Sequence, residues 1–231
     1  SFYFKQLFKT LELYGWKNKF SCLCYEFVRL PEGAMSSRQG NVVLFDDVYT
    51  GVFKAVKAEV ESRHSEWPEK KRNNAAQAIS LAAIKFAMLK HPTDKIIEFN
   101  AREAASFDGF TGPYILYTIA RINSIIRKFG SKIGAGKDLA ALSVPEEKAL
   151  LLKVGGLEEV LYIAALNLDP SAVARYAFDL VKIFNDFYNK CPVLNAQTAA
   201  QKNARLALVK ATVAALQRSF AALNIETVEE M

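Results

Sequence analysis

The sequence predicts a mainly α-helical protein with short strands only in its N-terminal part. Apolar residues recur every three or four positions through most of the 231 residues, the spacing of a buried helix face. Short apolar runs suited to strands occur only before residue 106. Hydrophobic residues make up 51% of the chain, enough for a sizeable core. After Ser106 the pattern is almost purely helical with short connections, which is typical of an antiparallel bundle. We therefore divide the chain into residues 1–106 and 107–231.

The N-terminal part is predicted to alternate helices with two strands. Gly15 ends the first helix, Asp46 and Asp47 cap the second, and His91-Pro92 stops the third. In chain order we expect a helix at 2–14, a strand at 21–29, a helix from about 46 to 60, a charged hinge at 61–74, a helix at 75–89 and a strand at 95–99.

The C-terminal part is predicted to contain helices separated by clear start and stop signals. Thr111 or Pro113 opens the first, and Ser143-Val144-Pro145-Glu146 has the spacing of a capping box. We interpret the adjacent carboxylates Glu146 and Glu147 as capping groups. The remaining signals are a flexible link at 130–136, a break at Gly155-Gly156, a start at Asp169-Pro170, a stop at Cys191-Pro192 and a last helix through 206–220.

The composition of the chain limits which partners it can bind and which cell compartment suits it. The net charge is +6 and the pI near 9.1, a mild bias that suits a polyanionic partner. Lysine and arginine exceed aspartate and glutamate by 16 to 12 up to Ser106 and by 14 to 12 after it, so any binding patch must come from the fold. We find neither a membrane-spanning run nor a signal-peptide layout. Three cysteines indicate reduced thiols in a cytoplasmic protein, and neither His64 nor His91 has metal-ligand spacing to a cysteine.

One loop has the composition of a polyphosphate-binding segment. It runs Gly33-Ala34-Met35-Ser36-Ser37-Arg38-Gln39-Gly40-Asn41 between a predicted strand and a predicted helix. Its glycines allow close backbone approach, its hydroxyls donate hydrogen bonds and Arg38 carries a permanent positive charge. A plain polar surface loop has the same composition, so both interpretations stay open.

Two helical segments carry aromatic and basic residues that could hold RNA. Tyr114, Tyr117, Arg121 and Lys128 follow one side of the helix that starts near Pro113. Tyr188-Asn189-Lys190 lies at the end of a later helix. Aromatic rings stack on bases and cations pair with phosphates. A solvated helix face with half-buried tyrosines would show the same pattern.

These motifs resemble those of arginyl-tRNA synthetases, which are class I aminoacyl-tRNA synthetases. The loop is similar to the KMSKS-type signature Lys-Met-Ser-Ser-Arg-Lys-Gly-Asn, with Ala34 and Gln39 in place of the two lysines. The segment 108–114, with Tyr117 and Ala120-Arg121-Ile122, resembles a second pattern of the family, from which Leu116 departs. The family's anticodon-binding helix pattern is matched by Arg175-Tyr176, Asp179-Leu180 and residues 184–193, and the ending at Met231 resembles the family's C-terminus.

The resemblance implies the fold and the reaction of the parent protein. Residues 1–106 would be the C-terminal remnant of a class I Rossmann catalytic domain, with short strands and stem-contact helices. Residues 107–231 would be an antiparallel helical anticodon-binding bundle. The implied function is the C-terminal portion of an arginine–tRNA ligase, a cytoplasmic monomer that uses arginine, tRNA(Arg) and ATP with magnesium as its substrate complex. No protein-bound metal is predicted.

The resemblance also assigns roles to residues. Ser36, Ser37 and Arg38 would be catalytic, and with Met35 and Gly40 they would hold the ATP phosphates. The implied tRNA-binding residues are Tyr114, Tyr117, Arg121, Lys128, Tyr188, Lys190 and Met231.

Three functional hypotheses remain at this point. The family's His-Ile-Gly-His motif does not occur and the chain does not start with Met, so we expect a fragment that is inactive alone. The missing lysines at Ala34 and Gln39 favour a second hypothesis, a non-catalytic tRNA-binding module or paralogue. The third is a helical interaction protein without a nucleic-acid role.

Overall fold

The described structure is built mainly from helices, as predicted. It is a computed structural model that describes residues 2–31, 43–129, 139–193 and 195–231. The loop at 33–41 and the link at 130–136 therefore lie outside the described residues. The elements are α1 (Phe2–Leu13), β1 (Val28–Arg29), α2 (Phe45–Arg63), α3 (Glu69–Leu89), β2 (Ile97–Glu98), α4 (Ala101–Ala104), α5 (Gly112–Phe129), a 3₁₀ turn (Leu139–Ala141), α6 (Pro145–Gly155), α7 (Leu157–Asn167), α8 (Ser171–Lys190) and α9 (Ala199–Ala222).

The two strands form a short parallel pair. Val28 lies opposite Ile97 and Arg29 opposite Glu98. The prediction of a strand over 21–29 was too long, because a strand needs a partner along its length. In the described residues β2 pairs only with the last part of that segment, and Glu26 N–H adds one bond to Thr93 O at 3.0 Å. Since parallel strands require a crossover, α2 and α3 lie between them in sequence.

Helices α2 and α3 form a hairpin whose inner faces are apolar. Val52, Val56 and Val60 are buried on α2, and Ile79 and Phe86 are buried on α3. The third helix begins at Glu69, earlier than the predicted residue 75. Pro68 occupies the position just before its first turn, where a missing N–H removes no helical hydrogen bond. The charged residues predicted as a hinge are therefore mostly helical.

The helices after residue 112 pack into a bundle around large apolar side chains. Helix α9 packs against α5, α6 and α8. Phe184, Phe187 and Leu180 of α8 are fully buried, as are Leu216 and Phe220 of α9. The predicted inner faces of these helices are confirmed. One continuous apolar cluster runs from the hairpin into the bundle, and the division at residue 106 stays a prediction.

The helix caps agree with the sequence in part. Gly155 ends α6 and Leu157 begins α7, and the Asp169 carboxylate accepts bonds from Ser171 N–H at 3.0 Å and Ser171 Oγ at 2.6 Å. The capping box predicted from Ser143 to Glu146 is wrong by one residue. Val144 is the N-cap of α6, and Glu147 Oε2 accepts its backbone N–H at 3.1 Å.

Helix α1 lies at the surface of the described structure. None of its residues is buried, although its apolar spacing predicts a packed face. Phe8 stacks on Phe20 with ring centroids 5.5 Å apart, while Phe2 and Tyr14 remain well exposed. Among the described helices, none combines the length and the hydropathy that crossing a bilayer requires.

Candidate nucleic-acid interface

Helices α5 and α8 pack together on one side of the bundle. Three of the predicted RNA-binding residues lie at this contact. Asn185 Nδ2 of α8 donates a hydrogen bond to the Tyr114 hydroxyl of α5 at 3.0 Å. The guanidinium carbon of Arg121 lies 4.7 Å from the centroid of the Tyr188 ring. Both contacts cross between the helices, so the structure brings Tyr114, Arg121 and Tyr188 onto a common surface.

The Tyr188 ring is held in place by the core beneath it. It stacks on the fully buried Phe184 with centroids 5.9 Å apart and planes inclined by 27°. Arg121 itself is exposed. Such an arrangement lowers the entropy cost of ordering the ring on binding, and the guanidinium can still pair with a phosphate.

The same surface continues toward the start of α5 through residues to which the sequence analysis gave no RNA-binding role. The Arg175 guanidinium carbon lies 4.3 Å from the Phe110 ring centroid, and the Phe110 and Phe178 centroids are 4.8 Å apart. Lys182 Nζ lies 5.7 Å from the Phe178 centroid. The spacing of Arg175, Phe178 and Lys182 along α8 puts them on one helix face, a signal that could have found them. We call the whole set the α5–α8 surface: Phe110, Tyr114, Arg121, Arg175, Phe178, Lys182 and Tyr188.

Tyr117 adjoins this surface on the side of the hairpin. The Arg63 guanidinium carbon lies 5.4 Å from the Tyr117 ring centroid and 4.9 Å from the Phe107 centroid. Arg63 belongs to the last turn of α2, so a cation of the N-terminal part sits beside the predicted RNA-contacting face of α5.

Lys190 forms an ion pair with Glu146. Its Nζ lies 2.8 Å from Glu146 Oε1 on α6. This hydrogen bond raises the pKa of Lys190 and lowers the pKa of Glu146. A phosphate that contacts Lys190 must therefore compete with Glu146.

The neighbouring carboxylate, Glu147, is fully buried and bonds to Arg205 of α9. Its Oε1 accepts from Arg205 Nε at 2.6 Å, while Arg205 Nη1 donates to Pro192 O at 2.7 Å. The pair thereby ties α6 and α9 to the segment that follows α8. It supports the end of α8, where Tyr188 lies.

Lys128 and Met231 lie toward the other end of α5. Lys128 is exposed in the last turn of that helix, two turns beyond Arg121. Met231 is partly buried against the core, and Glu230 beside it pairs with Arg127 at 3.3 Å. The C-terminus is thus placed near the last turn of α5.

The predicted phosphate-binding residues lie outside the described residues. These are Met35, Ser36, Ser37, Arg38 and Gly40. The described chain ends at Pro31 and resumes at Val43, and both border an open cleft of about 480 Å³ that Asp47 and Asn100 also line.

Comparison with known families identifies the family of this helical bundle. Residues 115–231, which carry most of the α5–α8 surface, match the family described as the DALR anticodon binding domain. The chain belongs to this family. The predicted anticodon-binding bundle is therefore confirmed as a fold, and the resemblance to arginyl-tRNA synthetases is confirmed with it.

Individual relatives extend the similarity to the whole chain. It is 38% identical over 99% of its length to an arginine–tRNA ligase of Bdellovibrio bacteriovorus, and covers 40% of that protein. The arginyl-tRNA synthetase structure of Thermus thermophilus matches 90% of this chain, with a TM-score of 0.82 and 35% identity, over 35% of its own length. That of Plasmodium falciparum matches 99% with a TM-score of 0.81 at 24% identity, over 39% of its length, which shows the fold alone.

The chain thus spans about 40% of the length of the curated relatives that it matches. The matching part is their C-terminal part.

Proposed function

We propose that this chain binds tRNA(Arg) as the C-terminal portion of a cytoplasmic arginine–tRNA ligase. The observation that carries the proposal is the Arg121–Tyr188 contact on the α5–α8 surface. The exposed guanidinium can pair with a phosphate, and the fixed aromatic ring beside it can stack on a base. The family match supports an RNA partner, and the relatives' names support the arginine-specific tRNA.

The binding energy is expected to come from stacking and from phosphate pairing. A base stacked on an aromatic side chain is worth about 1–3 kcal/mol. The logarithm of the affinity falls linearly with the logarithm of the salt concentration. Each phosphate contact contributes about −0.7 to −0.9 to the slope of that line. Tyr188 belongs to the first class, and Arg121, Arg175 and Lys182 to the second.

Salt-dependent tRNA binding tests this proposal. We expect Arg121→Gln to weaken binding of arginine tRNA and to reduce the salt slope by about 1. Tyr188→Leu should weaken binding by about 5- to 150-fold, with little change in slope. Lys210→Gln on the exposed side of α9 removes the same charge as Arg121→Gln and serves as the matched control. If Arg121→Gln and Lys210→Gln have equal effects, the α5–α8 surface is not the binding site.

The catalytic part of the proposal concerns Met35, Ser36, Ser37, Arg38 and Gly40. We propose that they hold the phosphates of ATP, supplied as its magnesium complex, while arginine is activated. Their support is the signature-loop resemblance and the similarity of the chain to arginine–tRNA ligases. The loop would favour the charge that moves onto the leaving pyrophosphate.

Arginine-dependent exchange between ATP and pyrophosphate tests this second part. The 231-residue chain alone is expected to show no exchange. In a ligase that contains this chain, Arg38→Ala should lower the exchange rate, whereas Gln39→Ala should change it little. If the protein that contains this chain shows no exchange before any substitution is made, it is a non-catalytic tRNA-binding paralogue. The missing lysines at Ala34 and Gln39 favour that alternative.

A further inference from the structure

Two thiols lie in contact on the segment that leads into β1. Cys22 Sγ and Cys24 Sγ are 2.9 Å apart and share a hydrogen bond. Both thiols reach solvent, Cys24 more than Cys22. One residue separates them in sequence, and the fold turns their side chains toward each other.

The backbone around these thiols can adapt to a covalent ring. Residues 21–27 form no regular secondary structure, and the first anchoring hydrogen bond downstream runs from Glu26 N–H to Thr93 O. Cys22 and Cys24 lie before that anchor, so closing a ring between them leaves the β1–β2 pair intact. Disulfide bonds require a specific geometry, which a free backbone can reach more easily than a paired strand can.

The environment also makes one thiol the better nucleophile. The hydrogen bond between the two thiols lowers the pKa of the Cys24 thiol and raises the pKa of the Cys22 thiol. Thiolates, not thiols, attack disulfides, so Cys24 should react first. Cys191 provides the contrast, because it is buried and burial raises the pKa of its thiol.

We propose that Cys22 and Cys24 form a redox-sensitive site that closes to an intrachain disulfide when it meets a low-molecular-weight disulfide such as oxidised glutathione. An open cleft of about 400 Å³ borders both residues and gives such a molecule access, with Lys5 and Asp94 in its lining. The proposal does not depend on the proposed function.

The reaction balances as two successive exchanges. Cys24 thiolate attacks one sulfur of the small disulfide, whose sulfur–sulfur bond breaks and releases one thiolate. Cys22 thiolate then attacks Cys24 Sγ in the mixed disulfide and releases the second thiolate. The two protons lost by the cysteines end on the two released thiols. The protein is oxidised by two electrons and the small disulfide is reduced by two.

Thiol trapping across a series of glutathione redox buffers tests the proposal. After an acid quench, N-ethylmaleimide labels the free thiols and mass spectrometry of the digest locates the label. We expect the peptide that contains Cys22 and Cys24 to lose both labels together as oxidised glutathione increases, while Cys191 stays labelled. Labels that persist in the most oxidising buffer, or mixed disulfides that never close, would overturn the proposal.

Single variants test the order of attack. Cys22→Ser should stop at a glutathione mixed disulfide on Cys24, formed at a rate close to that of the unchanged chain. Cys24→Ser should form its mixed disulfide several-fold more slowly. The urea-unfolded chain provides a further comparison, in which ring closure should be slower. Equal rates for both variants, or for the folded and unfolded chains, would contradict a site prepared by the fold.

Discussion

At residue 112 the backbone of α5 touches the backbone of α3, and no side chain fits between them. A β-carbon added to Gly112 would lie 2.8 Å from Ala82 O and 3.0 Å from Phe86 Cβ. The first atom belongs to the backbone of a buried helix and cannot move aside easily. This glycine therefore sets the distance between the hairpin and the bundle.

We expect Gly112→Ala to lower the free energy of unfolding by about 1–3 kcal/mol, because it overpacks this contact. Gly51→Ala is the matched control. Gly51 lies inside α2, where an added β-carbon meets nothing within 4 Å, so alanine should stabilise the helix by about 0.5–1 kcal/mol. Urea unfolding followed by circular dichroism measures both. A stabilising Gly112→Ala would show that the two helices are further apart.

The sequence identifies Gly112 only as part of a turn before a helix. Its packing role depends on Ala82 and Phe86, which belong to a different helix and are distant in sequence. The same reason explains why Arg175 and Phe178 were not assigned to the RNA-binding surface, whereas Tyr114, Arg121 and Tyr188 were. A residue's chemistry is visible in the sequence, but its neighbours across helices are not.

Helix α6 is joined to α9 by a buried ion pair and to α8 by an exposed one. Glu147 and Arg205 have exposed side-chain fractions of 0% and 7%, whereas Glu146 and Lys190 have 25% and 65%. The two glutamates are adjacent in sequence but differ in burial, and Glu147 also caps α6 through the Val144 N–H. Comparing them contrasts a buried pair that also caps a helix with an exposed pair.

We expect Glu147→Ala to cost about 3–5 kcal/mol of unfolding free energy, because it leaves the Arg205 guanidinium buried without its partner. Glu146→Ala should cost much less, since water screens an exposed pair. Equilibrium unfolding in urea distinguishes the two values. Similar costs would mean that the Glu147 site admits water.

The elements themselves were predicted to different degrees. The long helices were recognised because their apolar spacing is a local property, as in α8 and α9. The strand before Arg29 was predicted too long and the cap at Ser143 was off by one residue. Strand length depends on a pairing partner, and the choice between Ser143 and Val144 depends on which glutamate the fold buries.

Across the whole molecule, the C-terminal segment fastens the hairpin to the bundle. After α9, Lys85 Nζ of α3 donates to Asn224 O at 2.5 Å, and Ile225 is buried. Further along, Glu230 pairs with Lys71 of α3 at 2.5 Å and with Arg127 of α5 at 3.3 Å. A single carboxylate thus bridges cations from both halves of the molecule.

These contacts give Glu230 a defined effect on the pH dependence of stability. The hydrogen bond and charge of Lys71, followed by the charge of Arg127, lower the pKa of Glu230 from its ordinary 4.5. A carboxylate whose pKa is lowered by folding stabilises the folded state above its unfolded pKa. That contribution is lost as the pH falls through the folded pKa.

We therefore expect Glu230→Gln to destabilise the chain at pH 7 by less than about 1 kcal/mol, because the carboxylate is partly exposed. The difference from the unchanged chain should shrink as the pH falls below 4.5, the ordinary pKa of the group, and disappear below its lowered folded pKa. Added salt at pH 7 should reduce it as well. Glu229→Gln removes the same charge one residue away, where Arg127 bonds to the backbone oxygen instead, and should have a smaller effect. Urea midpoints measured from about pH 3 to about pH 7, a range that brackets that pKa, test this prediction. A difference that does not shrink toward the lowest pH would show that Glu230 acts through packing instead of charge.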